Sequence, residues 1–298
     1  GSLVDENRFR YDLGSLGRDY VGIGKNEAVL KETADLWGVD HKAEMYKLPA
    51  MYVGEYAEQD ADLTYKLWQE MKKQIYHEDV EDIFKLETEL FPCLVDMRFL
   101  GVRVDTQAAF ELKQQLVEEE KECLYKVKKE TSIDVQIWAA RSIEKVFQKL
   151  NLPYDLTAKT SSPSFTKNFL QNHPHPLVKQ IARAREINKS HTTFIDTILK
   201  HQHKGRIHAE INQIRSDSGG TVTGRFSYNN PNLQQIPARN KELGPRIRSL
   251  FIPEEGCQWG CFDYSQQEPR LVTHYASLDG LYGVDEVLDS YNEGQADF

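Results

Sequence analysis

Three short strings crowd residues 223–270 and constrain this chain more than any other feature. They are Thr223-Gly224-Arg225-Phe226-Ser227, then Pro231-Asn232-Leu233-Gln234-Gln235-Ile236-Pro237, then Asp263-Tyr264-Ser265-Gln266-Gln267-Glu268-Pro269-Arg270. The first two offer one cation and a row of amide side chains. Such groups can hydrogen-bond to the minor-groove edges of a duplex without reading its sequence, because the acceptors presented there are degenerate. The third string follows a turn signal, Pro253-Glu254-Glu255-Gly256, and a short apolar-rich run, Gln258-Trp259-Gly260-Cys261-Phe262. That pattern predicts a strand with Asp263 at its mouth. Ser265, with Glu268 three residues later, predicts a capping box for a helix through Leu271, Val272 and Tyr275. A carboxylate between strand end and helix start suits a hard cation carrying phosphates, since Mg²⁺ is usually held by one or two carboxylates plus the substrate.

The formal net charge of -9 argues, on its face, against a nucleic-acid binder. Its distribution reverses that impression. Residues 157–204 carry a balance of +6 and residues 206–250 a balance of +4, whereas residues 251–298 carry -9. A basic middle ahead of an acidic end is what a DNA-contacting groove with a metal-binding floor requires. A solvated face with scattered lysines remains open on charge alone.

A chain of 298 residues with 40% hydrophobic content can form two domains or parts of three. No apolar run approaches the length of a membrane span, and no signal peptide precedes the first string, so a cytosolic protein is expected. Cys93 and Cys123 are isolated. Cys257 and Cys261 would lie roughly 13 Å apart on the predicted strand, too far for a disulfide. No CxxC pair or histidine partner has zinc-ligand spacing.

The three strings, in this order and spacing, resemble the early palm of family A DNA polymerases, the bacterial DNA polymerase I type and its phage relatives. The resemblance covers almost the whole chain. It implies a helix-rich α+β fold: the C-terminal part of an RNase H-like exonuclease domain over residues 1–78, a helical thumb over 79–205, and an incomplete polymerase palm over 206–298. The implied function is template-directed DNA synthesis on primer-template DNA with deoxynucleoside triphosphates, in a bacterial cell or a phage-infected host. By position in the pattern, Asp263 matches one of two catalytic aspartates and the Tyr264 carbonyl shares its Mg²⁺, in a two-metal mechanism. Glu268 matches the residue that excludes a ribose 2'-hydroxyl. Arg225 matches an arginine that reaches the minor groove near the primer terminus. Asn232, Gln234 and Gln235 match polar residues lining that surface, and Arg239 and Arg248 match basic positions near the active site. For each arginine a surface salt bridge is the plain alternative. Gln267 and Pro269 depart from the aliphatic residues usual in the bacterial enzymes.

The string Gly294-Gln295-Ala296-Asp297-Phe298 falls just before the family's fingers, and the second catalytic aspartate is not among these residues. The expectation is that this chain alone does not polymerise. A DNA-binding split subunit, needing a partner with the fingers, is a second reading, and a processivity partner is conceivable in either. A single-subunit RNA polymerase relative is a third, against which Glu268 and the exonuclease-like segment speak.

Earlier in the chain, helical spacing is expected over residues 12–21, 28–37 and 52–71. Tyr56 and Asp60 stand one helical turn apart on one face, where a hydroxyl and a carboxylate can orient water against a metal-bound phosphate. An aromatic packed on the core beside a solvated Asp gives the same pattern. The resemblance is to the third motif of the 3'-5' proofreading exonuclease, with Asp60 as metal ligand and Tyr56 as water orienter, although that motif's two acidic partners are absent. Residues 79–100 predict a helix with Leu86, Leu90, Leu94 and Met97 on one face and a kink or stop at Pro92. Residues 101–105 read as a strand or turn into a long helix, 106–129, with Leu112, Leu116, Cys123 and Val127 inward. Lys159 and Ser161, in a small polar loop ahead of a short helix, suit a backbone phosphate; an ordinary exposed turn is the equal alternative. His173 and His175 read as turn residues. Residues 177–199 predict a helix carrying Arg183, Arg185 and Lys189.

Overall fold

A computed structural model describes residues 1–294; the string from Gln295 to Phe298 lies outside the described residues. The chain divides into two compact units, one ending at Ile252 and one beginning at Pro253.

The first unit opens with α1 (Leu13–Val21) and α2 (Ala28–Trp37), both laid on α3 (Ala50–His77). Asp12 caps α1 by accepting a hydrogen bond from the Ser15 N–H at 3.0 Å, which satisfies one of the orphan donors at a helix start. Leu63, Leu67, Met71 and Ile75 are buried at four-residue steps along α3, the single stripe that a surface helix offers its neighbours. Leu16 meets Leu67 and Met71, and Leu30, Ala34 and Leu48 form a separate small core beside Tyr56.

Helix α4 (Glu81–Leu100) runs through Pro92 without stopping, giving up the one backbone hydrogen bond that proline cannot donate. Its expected apolar face is only partly used. Leu94 is buried, but Leu86 is 57% and Met97 48% exposed, because helical spacing aligns side chains without supplying an element to cover them. Gly101 then reverses the chain at φ 66. A Cβ there would stand 2.7 Å from the Ile207 carbonyl oxygen, so only glycine lets β1 (Val102–Arg103) pair with the later strand at Arg206–Ile207.

Helix α5 (Thr106–Thr131) is capped by Asp105, which accepts from the Ala108 N–H at 2.8 Å. Its inward residues include Leu112, Leu116, Cys123 and Val127, as the spacing predicts. Helix α6 (Ala140–Lys149) contributes Ile143, Val146 and Phe147 to the same core. A short hairpin, β2 (Asp155–Leu156) with β3 (Pro163–Ser164), precedes α7 (Lys167–Asn172). Helix α8 (Pro176–Lys189) lays Val178, Ile181, Ala184 and Ile187 against α5, passes through a wider π turn at Ser190–Ile195, and resumes as α9 (Asp196–His201). Strands β4 (Gln202–His203) and β5 (Arg206–Ile207) complete a three-stranded antiparallel sheet in the order β1-β5-β4. A second hairpin pairs β6 (Glu210–Asn212) with β7 (Ser227–Asn229), Ile211 opposite Tyr228, and α10 (Leu243–Arg248) closes the core with Leu243 and Ile247.

The second unit holds α11 (Gln267–Leu278) and α12 (Val284–Asn292), joined where the Arg270 guanidinium lies 4.7 Å from the Tyr291 ring centre. Two sequence expectations are corrected here. Residues 258–262 form no strand. An apolar run becomes a strand only where a neighbour takes up its backbone groups, and Trp259 and Phe262, 57% and 98% exposed, are not packed into one. Nor does Ser265 cap α11. Gln266 occupies the cap position in the left-handed region, φ 51, with no side-chain cap bond, and the Ser265 carbonyl instead accepts from Arg270 Nε at 2.9 Å.

Two measurements test this core. Phe147 is fully buried and its ring centre lies 4.8 Å from that of Phe165. Phe147→Ala is expected to cost about 3–5 kcal/mol in urea unfolding, and a loss below about 1 kcal/mol would contradict the packing described. Asp105→Ala is expected to cost about 1 kcal/mol through the lost cap.

Candidate nucleic-acid interface

The second motif string is built to present its polar residues. Leu233 and Ile236 pack on the core, which turns Gln234, Gln235 and Arg239 outward, all three exposed. Asn232 caps the turn by accepting from the Gln234 N–H at 3.0 Å, and Gln234 Nε2 donates to the Phe226 carbonyl at 2.9 Å. The amide of Gln234 thereby ties the first string to the second. Arg225 sits exposed in the loop leading into β7, its carbonyl accepting from Thr221 Oγ1 at 2.7 Å.

Gln234, Gln235 and Arg239 line a groove of about 650 Å³ together with Arg185 and Lys189 of α8. Arg183, two positions before Arg185, projects to the other side of the helix as the 3.6-residue turn requires, and pairs there with Glu242, Glu186 and Glu119. Asn240 Nδ2 donates to Glu186 at 2.7 Å, and Arg246 pairs with Glu119 at 2.8 Å. Helices α5 and α8 are thus fastened to the chain that carries the motif. Arg185 donates to the carbonyls of Ile137 (2.5 Å) and Phe165 (2.7 Å), and burial pulls its pKa below the usual arginine range.

Arg248 is exposed on α10 and is not a lining residue of the groove. Lys159 and Ser161 occupy the tip of the β2–β3 hairpin, where hydroxyls bond to one another, Thr157 to Thr160 at 2.7 Å. They too stand outside the groove. Among the lining residues that sequence reading missed are Trp138 and Lys167. Neither belongs to a patterned string, and only the exposure of a tryptophan after the long helix marks the first.

In the second unit Asp263 and Tyr264 are exposed. The Asp263 carboxylate and the Tyr264 carbonyl are oxygen donors of the type a hard divalent cation takes. No cluster of three His, Cys, Asp or Glu side chains forms a metal site among the described residues. Glu268 is exposed in the first turn of α11, where the helix dipole favours an acid.

Tyr56 and Asp60 do share one face of α3, but a third residue stands between them. Lys25 Nζ lies 2.6 Å from Asp60 Oδ2, donates to Tyr56 Oη at 2.8 Å, and sits 5.0 Å from the Tyr56 ring centre. Burial disfavours the Lys25 ammonium, but hydrogen bonds to Asp60 and Tyr56 outweigh it and raise the pKa above the usual lysine value. With an ammonium already neutralising its carboxylate, Asp60 as arranged does not fit a divalent ion.

Residues 106–291 match the model of DNA polymerase family A. A DNA-directed DNA polymerase of Pseudomonas phage M6 is 34% identical over 93% of this chain and 43% of its own length. The thermostable DNA polymerase I of Thermus aquaticus is 34% identical over 67% of this chain and 24% of its own. The chain therefore spans less than half the length of these relatives. Among solved structures, the POL domain of Pol1 from M. smegmatis, in complex with DNA primer-template and dNTP, superposes with a TM-score of 0.73 at 21% identity, covering 99% of this chain and 46% of that one. Helical content, core and the match over 106–291 agree: this chain belongs to DNA polymerase family A.

Proposed function

We propose that the chain contributes the DNA-holding wall and one metal-binding carboxylate of a DNA-directed DNA polymerase. In this reading residues 1–78 derive from the end of an exonuclease-like domain, 79–205 from the thumb, and 206–298 from the first part of the palm. The observation that carries it is the groove lined by Gln234, Gln235, Lys167, Lys189 and Arg239. Amides and cations lining one groove suit a duplex held by its backbone and its degenerate groove edge. Arg225 adds a further cation at the adjoining loop.

Nucleotidyl transfer joins a primer 3'-hydroxyl to the α-phosphate of a deoxynucleoside triphosphate and releases pyrophosphate. Asp263 and the carbonyl of Tyr264 would hold divalent metal, which, when bound, eases deprotonation of the 3'-hydroxyl and offsets charge on the departing pyrophosphate. Glu268, on the first turn of α11, would crowd a 2'-hydroxyl and so favour deoxynucleotides. These 298 residues on their own bind primed DNA without extending it, since the reading assigns them one of the two aspartates. Tyr56, Lys25 and Asp60 serve as an ion-pair staple between α3 and the segment before α2, and no nuclease step is assigned to them. Likeness to phage and bacterial DNA polymerases supports polymerase over a bare DNA-binding module.

Anisotropy titration of the chain with a labelled primer-template tests the groove. Binding is expected to weaken with salt, and Arg239→Ala should lower the slope of log K against log salt by about 1. A salt-independent or undetectable interaction would discard the groove as a DNA site. The staple predicts a coupling of about 1 kcal/mol between Lys25→Met and Asp60→Asn in a double-mutant stability cycle; additive losses would remove it.

A further inference from the structure

Trp138, between α5 and α6, is a large aromatic side chain that remains 60% exposed. Scattered exposed apolar residues need no explanation, but this one is held in place from several directions. Its indole Nε1 donates to Asn188 Oδ1 at 2.8 Å, so its single polar atom is already satisfied within the protein. Asn188 is itself gripped by Glu120, donating to both carboxylate oxygens at 3.1 and 3.2 Å. Glu120 in turn lies 2.6 Å from Nε2 of the buried His191. The Arg185 guanidinium, anchored by two carbonyls, stands 5.3 Å from the ring centre. Trp138, still 60% exposed with its ring fixed in orientation, lines the groove together with Lys167, Lys189 and Arg239.

A fixed aromatic plane among cations is the pairing by which proteins bind unpaired nucleotides: cations take the backbone and the ring stacks on a base. Bases inside a duplex are stacked on both sides, so an interior pair has no face to offer and an unpaired base does. Because the ring is held before any ligand arrives, little side-chain entropy is lost on binding. We propose that Trp138 is a stacking platform for one unpaired nucleobase at the rim of the groove. The inference rests on the groove's being a DNA site and adds a ligand class to it.

The test uses the 298-residue chain and three labelled probes: a 12-nucleotide oligothymidine, a 12-mer of abasic residues with the same phosphates, and a blunt duplex. Wild-type chain is expected to prefer oligothymidine to the abasic strand by about 5- to 150-fold, the range that one stacked base supplies. Trp138→Ala should abolish that preference, and Trp138→Phe, which keeps a ring, should retain most of it. Equal wild-type affinity for the base-bearing and abasic strands overturns the platform, whatever the variants do. So does a Trp138→Ala chain that still discriminates. Failure of the wild-type chain to bind any probe overturns the groove itself, and the platform with it.

Discussion

Two adjacent carboxylates on α5, Glu119 and Glu120, hold the groove in shape. Glu119 pairs with Arg246 of α10 and approaches Arg183 of α8 at 3.7 Å. Glu120, its side chain 14% exposed, bonds His191 and Asn188. A half-buried carboxylate is tolerated only when partners replace its lost water, and breaking such a set is costly because the remaining charges stay behind. Three helices are therefore fixed relative to one another by polar contacts laid over the apolar contact of α5 with α8.

This arrangement explains how a chain of net charge -9 can offer a basic surface. Within the middle of the chain the acids are spent on internal partners: Glu119 and Glu242 on arginines, Glu186 on Arg183 and Asn240. The cations that line the groove, Lys167, Arg185, Lys189 and Arg239, come from α7, α8 and the motif loop. Net charge averages over faces, whereas a polyanion meets one face at a time, within about a Debye length.

The segment around Tyr56 and Asp60 shows the opposite relation between pattern and environment. The spacing places both side chains on one face of α3, as read from the sequence. What they do there depends on Lys25, 31 positions before Tyr56, whose ammonium reaches both. A ligand-like spacing and a salt-bridge anchor are the same residues with different neighbours.

Family membership and the long helices were legible in the sequence. The strings around Arg225, Gln234 and Asp263 carried the family. The inward faces of α3 and α5 carried the helices, because apolar residues at three- and four-residue steps can be buried together only on a helix. The missed features have one physical origin. Residues 258–262 look like a strand but lack a packed neighbour, Ser265 looks like a cap but Gln266 turns the chain first, and Leu86 and Met97 align on α4 with nothing over them. Pairing, capping and burial are each completed by a second partner whose position the local pattern does not contain. The groove is the fullest instance: the sequence by itself determined which polar residues Leu233 and Ile236 push outward, but only tertiary structure brought Trp138, Lys167 and Arg185 into the same groove, because contacts between residues far apart in sequence arise from the packing of α5, α7 and α8 into one core.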